Sequence, residues 1–167
     1  MSAKRHPQIV QELVKLLNAN SYLELGLYVG ETFELVCSYI HDCVGVDTVD
    51  KRKNKSIGLF FNTTTDEFFK NNSKTFDVIF IDADHKYESV LKDLKNSLNV
   101  LNHNGLIILH DTDPEDKKYY DQGFCGDAYR VVNDLEKMGL DSVTIPSGHE
   151  GLTLIKRKKD RRVLSNE

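Results

Sequence analysis

Acidic, histidine and glycine residues recur in this sequence at the ends of apolar runs, and their spacing is what could carry chemistry. Glu24 lies inside the run Tyr22 to Leu27, which stops at the two glycines Gly26 and Gly30. Asp47 ends a second run, Asn62-Thr63 a third, Asp82-Ala83-Asp84-His85 a fourth and His110-Asp111 a fifth. A glycine turn between a strand and a helix lets the backbone take positive φ and approach a ligand, while the first N–H groups of the helix stay free for an anion. The G-x-x-x-G spacing matches neither the G-x-G-x-x-G of dinucleotide folds nor the phosphate loop G-x-x-x-x-G-K-[ST], so nothing here cradles a pyrophosphate. Asp47 follows Gly26 by 21 residues, the separation at which an acid closing the second strand meets a ribose held over the first turn. An isolated acid after a strand is as often a solvated turn residue; the glycine turn at this distance favours the ribose. Glu24 is a charge that needs a partner once buried, either a ligand ammonium or a backbone N–H.

These residues need a scaffold that brings the strand ends together. Ile9, Val10, Leu13, Val14, Leu16 and Leu17 form a helical stripe over 7–20, with Pro7 where a first turn tolerates it. The strand from Tyr22 to Leu27 is followed by helical spacing at Phe33, Val36, Cys37 and Ile40. Strands follow at Val44–Asp47 and Leu59–Asn62, then a short helix announced by Thr64 and Glu67 at capping-box spacing. Phe76 to Ala83 reads as a strand buried on both faces. A helix over Tyr87 to Leu101 breaks at Asn104-Gly105, and Leu106 to Leu109 is a fifth strand. After a polar stretch of 15 residues, Thr112 to Gly126, long enough to suggest a functional loop, the pattern predicts a helix over Asp127 to Met138. Strands at Ser142–Ile145 and Leu152–Lys156 then flank a hairpin turn at 146–151. The alternation predicts an α/β, doubly wound, mostly parallel seven-stranded sheet with a C-terminal antiparallel hairpin. It forms a single domain over 1–167, with its core at about 20–155 and a basic tail at 156–167. In such sheets ligands bind beyond the carboxyl ends of the strands, so the residues above should face one crevice.

Composition narrows the partners. A net charge of −4 over 167 residues provides no basic field for nucleic acid. The basic tail reads as a solvated end rather than a phosphate or membrane contact. Three cysteines without a C-x-x-C pair argue against a disulfide framework or zinc site, and no signal core or 18-residue apolar run is present. A soluble, cytoplasmic protein acting on a small molecule is expected. Cys37 reads as core packing, Cys43 and Cys125 carry no readable signal, and His6, His41, His103 and His149 are assigned no role.

The stretches 22–32, 76–88 and 104–111, together with Asp47, resemble the class I S-adenosylmethionine-dependent methyltransferases, which have a Rossmann-like fold. Within that superfamily they are most similar to the catechol and caffeoyl-CoA O-methyltransferases and to bacterial enzymes that methylate sugars. The resemblance implies S-adenosyl-L-methionine as cofactor. It sets the methionine end against Gly26, Tyr28 and Gly30, with Glu24 nearby and Thr32 reaching the carboxylate. Asp47 takes the ribose, Thr63 the adenine edge, and His85 the adenine flank or the substrate. In metal-dependent members a divalent ion such as Mg2+ is held after the fourth and fifth strands, which corresponds here to Asp82, Asp111 and either His110 or Thr112. The base is His85 or Lys86, His85 having the more suitable intrinsic pKa. Tyr119, Tyr120 and Phe124 either form an aromatic lid or fold onto the loop's own surface, and Asp84 is either a helix cap or a ligand. The sequence leaves no room for the additional N-terminal helices of larger relatives, so the pocket either stands open or is completed by a second subunit in a homodimer. The implied activity is O-methylation of a small hydroxylated acceptor, a sugar or phenol. The rivals are an N-methyl or aminopropyl transferase on the same scaffold and a non-catalytic cofactor-binding partner or sensor; a nicotinamide dehydrogenase is disfavoured by the missing glycine fingerprint.

Overall fold

The computed structural model describes residues 5–158, so most of the basic tail read at 156–167 lies outside the described residues. The chain runs α1 (His6–Leu16), β1 (Ser21–Leu25), α2 (Glu31–Cys37), β2 (Asp42–Asp47), β3 (Leu59–Asn62), α3 (Thr65–Asn71), β4 (Phe76–Ile81), α4 (Tyr87–Val100), β5 (Leu101–His110), β6 (Leu140–Ile145) and β7 (Leu152–Arg157). The sheet has seven strands in the order β3-β2-β1-β4-β5-β7-β6. The pairs from β3 through β5 are parallel, and β7 inserts antiparallel between β5 and β6. Strand order reverses direction between β1 and β4, which places a crevice beyond their carboxyl ends. No helix among the described residues is long and apolar enough to cross a membrane.

Alternation along the strands divides the core in two. Leu23, Leu25, Ile79, Ile81, Ile107 and Leu109 face the layer containing α3 and α4. Tyr22, Val78, Phe80, Leu106 and Ile108 face α1 and α2, where Val10, Val14, Phe33 and Val36 cover them. This parity decides where the polar residues in and after the strands point. Glu24 shares the face of Tyr22, and His110 shares that of Ile108.

Three local expectations are corrected. The α1 stripe ends early: Asn18 turns with φ 49°, leaving Leu16 77% and Leu17 44% exposed. The segment predicted as a helix over Asp127 to Met138 is instead a 3-10 helix at Ala128–Asp134 followed by turns. Adjacent β-branched Val131-Val132 and then Asn133-Asp134 disfavour the α form, although Ala128, Val131 and Leu135 are buried as the spacing predicts. Finally, β5 begins at Leu101, opposite Phe76, and bulges before pairing resumes at Val78 and Leu106. The bulge contains Asn104 at φ 63°.

Candidate functional site

The turn after β1 is built by close approach. Gly26 has φ 81°, and a Cβ there would lie 2.2 Å from the backbone oxygen of Asp82, because β4 leaves the sheet directly against it. Gly30 caps α2 at φ 80°, and a Cβ there would meet Arg52 Cγ at 2.8 Å. Tyr28 between them has φ 48°, and Asp111 at the end of β5 has φ 60°. Left-handed non-glycine residues cost about 1–3 kcal/mol and concentrate at functional sites, and both of these border the crevice. Asp47 also fixes the turn: its Oδ2 accepts from the Leu27 and Tyr28 amides at 2.9 and 3.1 Å, and Oδ1 from Val49 N at 3.1 Å.

Two cavities open beyond the strand ends and share Gly26, Asp47, Thr48 and Ala83. One, of about 490 Å³, runs past Thr63, Asp66, Asp84 and Ser89. It also reaches buried Asp93, whose carboxyl is pushed up to about 6 by burial. The other, of about 550 Å³, is lined by Tyr28, Lys51, Asp82, His85, His110 and Glu150, among others. Lys51 sits 5.3 Å over the Tyr28 ring. Each volume is of the size that small-molecule sites have.

Four of the predicted residues meet at the floor of the larger cavity. His110 Nδ1 is 3.0 Å from Asp82 Oδ1 and 3.2 Å from Asp111 Oδ2. His85 Nε2 is 3.3 Å from Asp111 Oδ2 and 4.0 Å from Asp82 Oδ1. Carboxylates only accept, so His110 Nδ1 carries a proton toward them. Burial alone would lower the His110 pKa, but Asp82, Asp111 and Glu150 outweigh it and hold the imidazole well above its usual range. Asp111 is correspondingly held below the carboxylate range: burial would raise it, but His110 and His85 prevail. The Cys125 thiol, buried beside Asp111, is pushed up to about 12, first by burial and then by that carboxylate.

Other predicted residues lie elsewhere. The Glu24 carboxyl is 2% exposed beneath α2, accepts from Tyr22 Oη at 2.5 Å and meets the Phe33 amide. Both of these partners are within the protein. Thr32 is buried in the first turn of α2. Thr112 accepts from Thr153 Oγ1 at 2.8 Å, within a hydroxyl chain that continues to Thr144. Lys86 caps α4 as an exposed residue outside both cavity linings. Asp84 accepts from the Lys86 amide and Ser89 hydroxyl at 3.3 and 2.7 Å. In the 112–126 loop, Tyr119 stacks on His149 and Tyr120 on Tyr129, while Phe124 alone of the three reaches the cavity lining. The loop ends against His85, whose carbonyl accepts from Asp127 N at 3.0 Å.

Sequence reasoning passed over His6 and Glu150. The His6 ring centroid is 4.3 Å from that of His110, and Glu150 Oε2 is 3.3 Å from His110 Nε2. Strand parity is the one sequence feature that pointed there, since it turns His110 toward α1. Glu150 carries no comparable mark, because only the β6–β7 fold-back brings it near.

Comparison with known proteins follows the same lines. No curated protein matches the chain by sequence. Among solved structures, the cofactor-bound protein Rv0187 from MTB superposes with a TM-score of 0.76 at 15% identity, over 93% of this chain and 80% of that one. The SAH-bound Podospora anserina methyltransferase PaMTH1 gives a TM-score of 0.71 at 17% identity, over 95% and 80%. The O-methyltransferase from Bacillus cereus, in complex with SAH, gives 0.70 at 17% identity, over 91% and 80%. At these identities the likeness is one of fold. A family model described as a methyltransferase domain matches residues 23–112, from within β1 through the turn, Asp47, Asp82 and His85 to the residues just after β5. The chain therefore belongs to the methyltransferase domain family, within the class I S-adenosylmethionine-dependent methyltransferases that its sequence resembles.

Proposed function

We propose that this protein transfers the methyl group of S-adenosylmethionine to the hydroxyl of a small acceptor, a sugar or phenol. The observation that carries the reading is the pair of adjoining cavities meeting at Gly26 and Asp47, with Asp82, His85 and Asp111 gathered at one end. The adenosine lies along the Thr63 side, with its ribose hydroxyls donating to the Asp47 carboxylate. The methionine end lies by Tyr28, within reach of Lys51 as a counter-ion to its carboxylate. The acceptor oxygen attacks the methyl carbon in line, the carbon–sulfur bond breaks, and S-adenosylhomocysteine leaves as the neutral thioether. His85 takes the hydroxyl proton; its side chain is 28% exposed beside Asp111, whereas Lys86 stands outside the cavity. Holding the two reactants in line is the larger contribution, about 7–11 kcal/mol, against about 10²–10⁴-fold from the base.

The residues also fit a divalent cation. Asp82, His85 and Asp111 present ligand atoms within 4.8 Å of one another, with His85 Nε2 the nitrogen that faces both carboxylates; with an ion bound there, His85 would be a ligand and not the base. Two carboxylates and an imidazole suit a divalent ion. When bound, it would lower the pKa of the acceptor hydroxyl. The Thr112 hydroxyl, engaged by Thr153, is a poorer candidate for that set.

The test is calorimetric titration of S-adenosylmethionine and S-adenosylhomocysteine, with magnesium and with chelator, into wild type and Asp47→Asn. The asparagine keeps an oxygen for the turn amides but loses a ribose acceptor. Affinity should fall about 10-fold or more, the worth of a charge-assisted hydrogen bond. Turnover is then followed as S-adenosylhomocysteine release across a panel of sugars and phenols. Absence of binding to wild type under both conditions would sink the reading.

A further inference from the structure

We propose that His6, His110 and Glu150 form a second metal site, a two-histidine, one-carboxylate set for a transition-metal ion of the zinc class, separate from the set at Asp82, His85 and Asp111. The three residues come from α1, the end of β5 and the β6–β7 turn, and their ligand atoms lie within 4.8 Å of one another. The central observation is His110, which is 8% exposed. Its Nε2 is buried and faces Glu150 Oε2 at 3.3 Å. Two ligand atoms at about 2.0–2.1 Å from a tetrahedral zinc are themselves about 3.3 Å apart, so this pair already has the separation of a coordination edge.

The far side of the ring supports the assignment. Nδ1 faces Asp82 Oδ1 at 3.0 Å, and a carboxylate can only accept, so Nδ1 keeps its proton, and an ion at Nε2 would displace the second proton of the imidazolium. A metal-bound histidine almost always donates its other N–H to a carboxylate or carbonyl, which fixes the tautomer and turns the lone pair to the ion. Nitrogen donors favour zinc, cobalt or nickel over magnesium, which distinguishes this set from its more acidic neighbour. Three protein ligands leave a coordination position open, and both His110 and Glu150 line the larger cavity.

Each ligand is held by its own element. α1 docks on α2 through Gln11 Nε2 to the Leu35 carbonyl at 2.7 Å and an Arg5–Glu31 ion pair. The Glu150 carbonyl accepts from Asp113 N at 2.9 Å. Gly151 follows at φ 74°, and a Cβ there would strike Asp113 Cβ at 2.3 Å, so the turn that carries Glu150 is pressed against the chain leaving β5. His110 is paired into the sheet opposite Leu152.

The experiment uses full-length protein stripped with chelator and titrated with cobalt(II) in excess magnesium, followed by visible absorption and then by competition with zinc. Wild type and His85→Ala should develop the absorption of a nitrogen-ligated cobalt centre at one equivalent and lose it to zinc. His6→Ala and Glu150→Gln should bind at least about tenfold more weakly, with circular dichroism confirming that each is folded. Glu150→Gln lies on an accessible turn and covers the case in which His6→Ala does not fold. No cobalt absorption in wild type, or absorption that survives in folded His6→Ala or Glu150→Gln, would overturn the site. Neither result depends on S-adenosylhomocysteine binding, so failure here is separable from failure of the methyl-transfer reading.

Discussion

Glu24 is a side chain whose partner the sequence left open between a ligand ammonium and a backbone N–H. A buried carboxyl needs a partner, and it has two, the Tyr22 phenol and the Phe33 amide. Burial raises its pKa well above the usual range, an effect that the Tyr22 hydrogen bond reduces without cancelling. A raised folded-state value means that proton uptake contributes stability fully present below the unfolded value of about 4.3 and lost as pH rises through the folded one. Glu24→Gln removes that titration. Denaturant unfolding across pH 4 to 9 should show wild type losing stability relative to the variant as pH rises, and a pH-independent difference would contradict the assignment. Asp47, Asp82, His85 and Asp111 were legible because each closes an apolar run, and in a parallel sheet the ends of such runs converge. His6 and Glu150 were not, since each sits in a segment with nothing in its own sequence to distinguish it from surface.

At the level of elements, the opening of the sheet is held by Asp77. Its carboxylate accepts from Asn20 N, Ser21 N and Asn102 Nδ2 at 2.8, 3.1 and 2.8 Å, joining the starts of β1 and β4 to the bulge of β5. Burial would raise its pKa, but these hydrogen bonds outweigh that and lower it. Asp77→Ala leaves the Asn20 and Ser21 amides without this acceptor and should cost about 1–3 kcal/mol in urea unfolding. A lowered folded-state value gives stability that is present above the unfolded value of about 3.9 and lost as pH falls through the folded one. The gap between wild type and variant should therefore narrow below about pH 4; a constant gap would mean that the carboxylate's charge is immaterial. Element existence followed from the apolar run in every strand, whereas the hydrogen-bond type of a helix did not follow from its period: Ala128 to Asp134 buries Ala128 and Val131 as a 3-10 helix. Burial spacing is a property of the pattern, but 3-10 against α depends on local crowding and on what lies at either end.

For the molecule as a whole, a ligand that binds only the folded state stabilises it by mass action. S-adenosylhomocysteine at about 100 times its dissociation constant contributes about 2.7 kcal/mol, which for a domain of this size is about 5–11 °C in Tm. A thermal melt should show that shift in wild type and about half of it or less in Asp47→Asn at the same concentration, the consequence of an affinity about 10-fold or more weaker; no shift in wild type would count against the proposed cofactor site. The sequence by itself determined the sheet: continuous apolar runs separated by period-3.6 segments can be buried on both faces only as a wound, mostly parallel array, and the acids that end those runs must then share one edge. Tertiary structure alone decided which side chains face that edge. The packing of α2 covers Glu24, the docking of α1 brings His6 to His110, the approach of β4 imposes a glycine at position 26, and the fold-back of β7 delivers Glu150. These contacts join residues far apart in the chain, and their distances depend on how the layers pack, which no local pattern encodes.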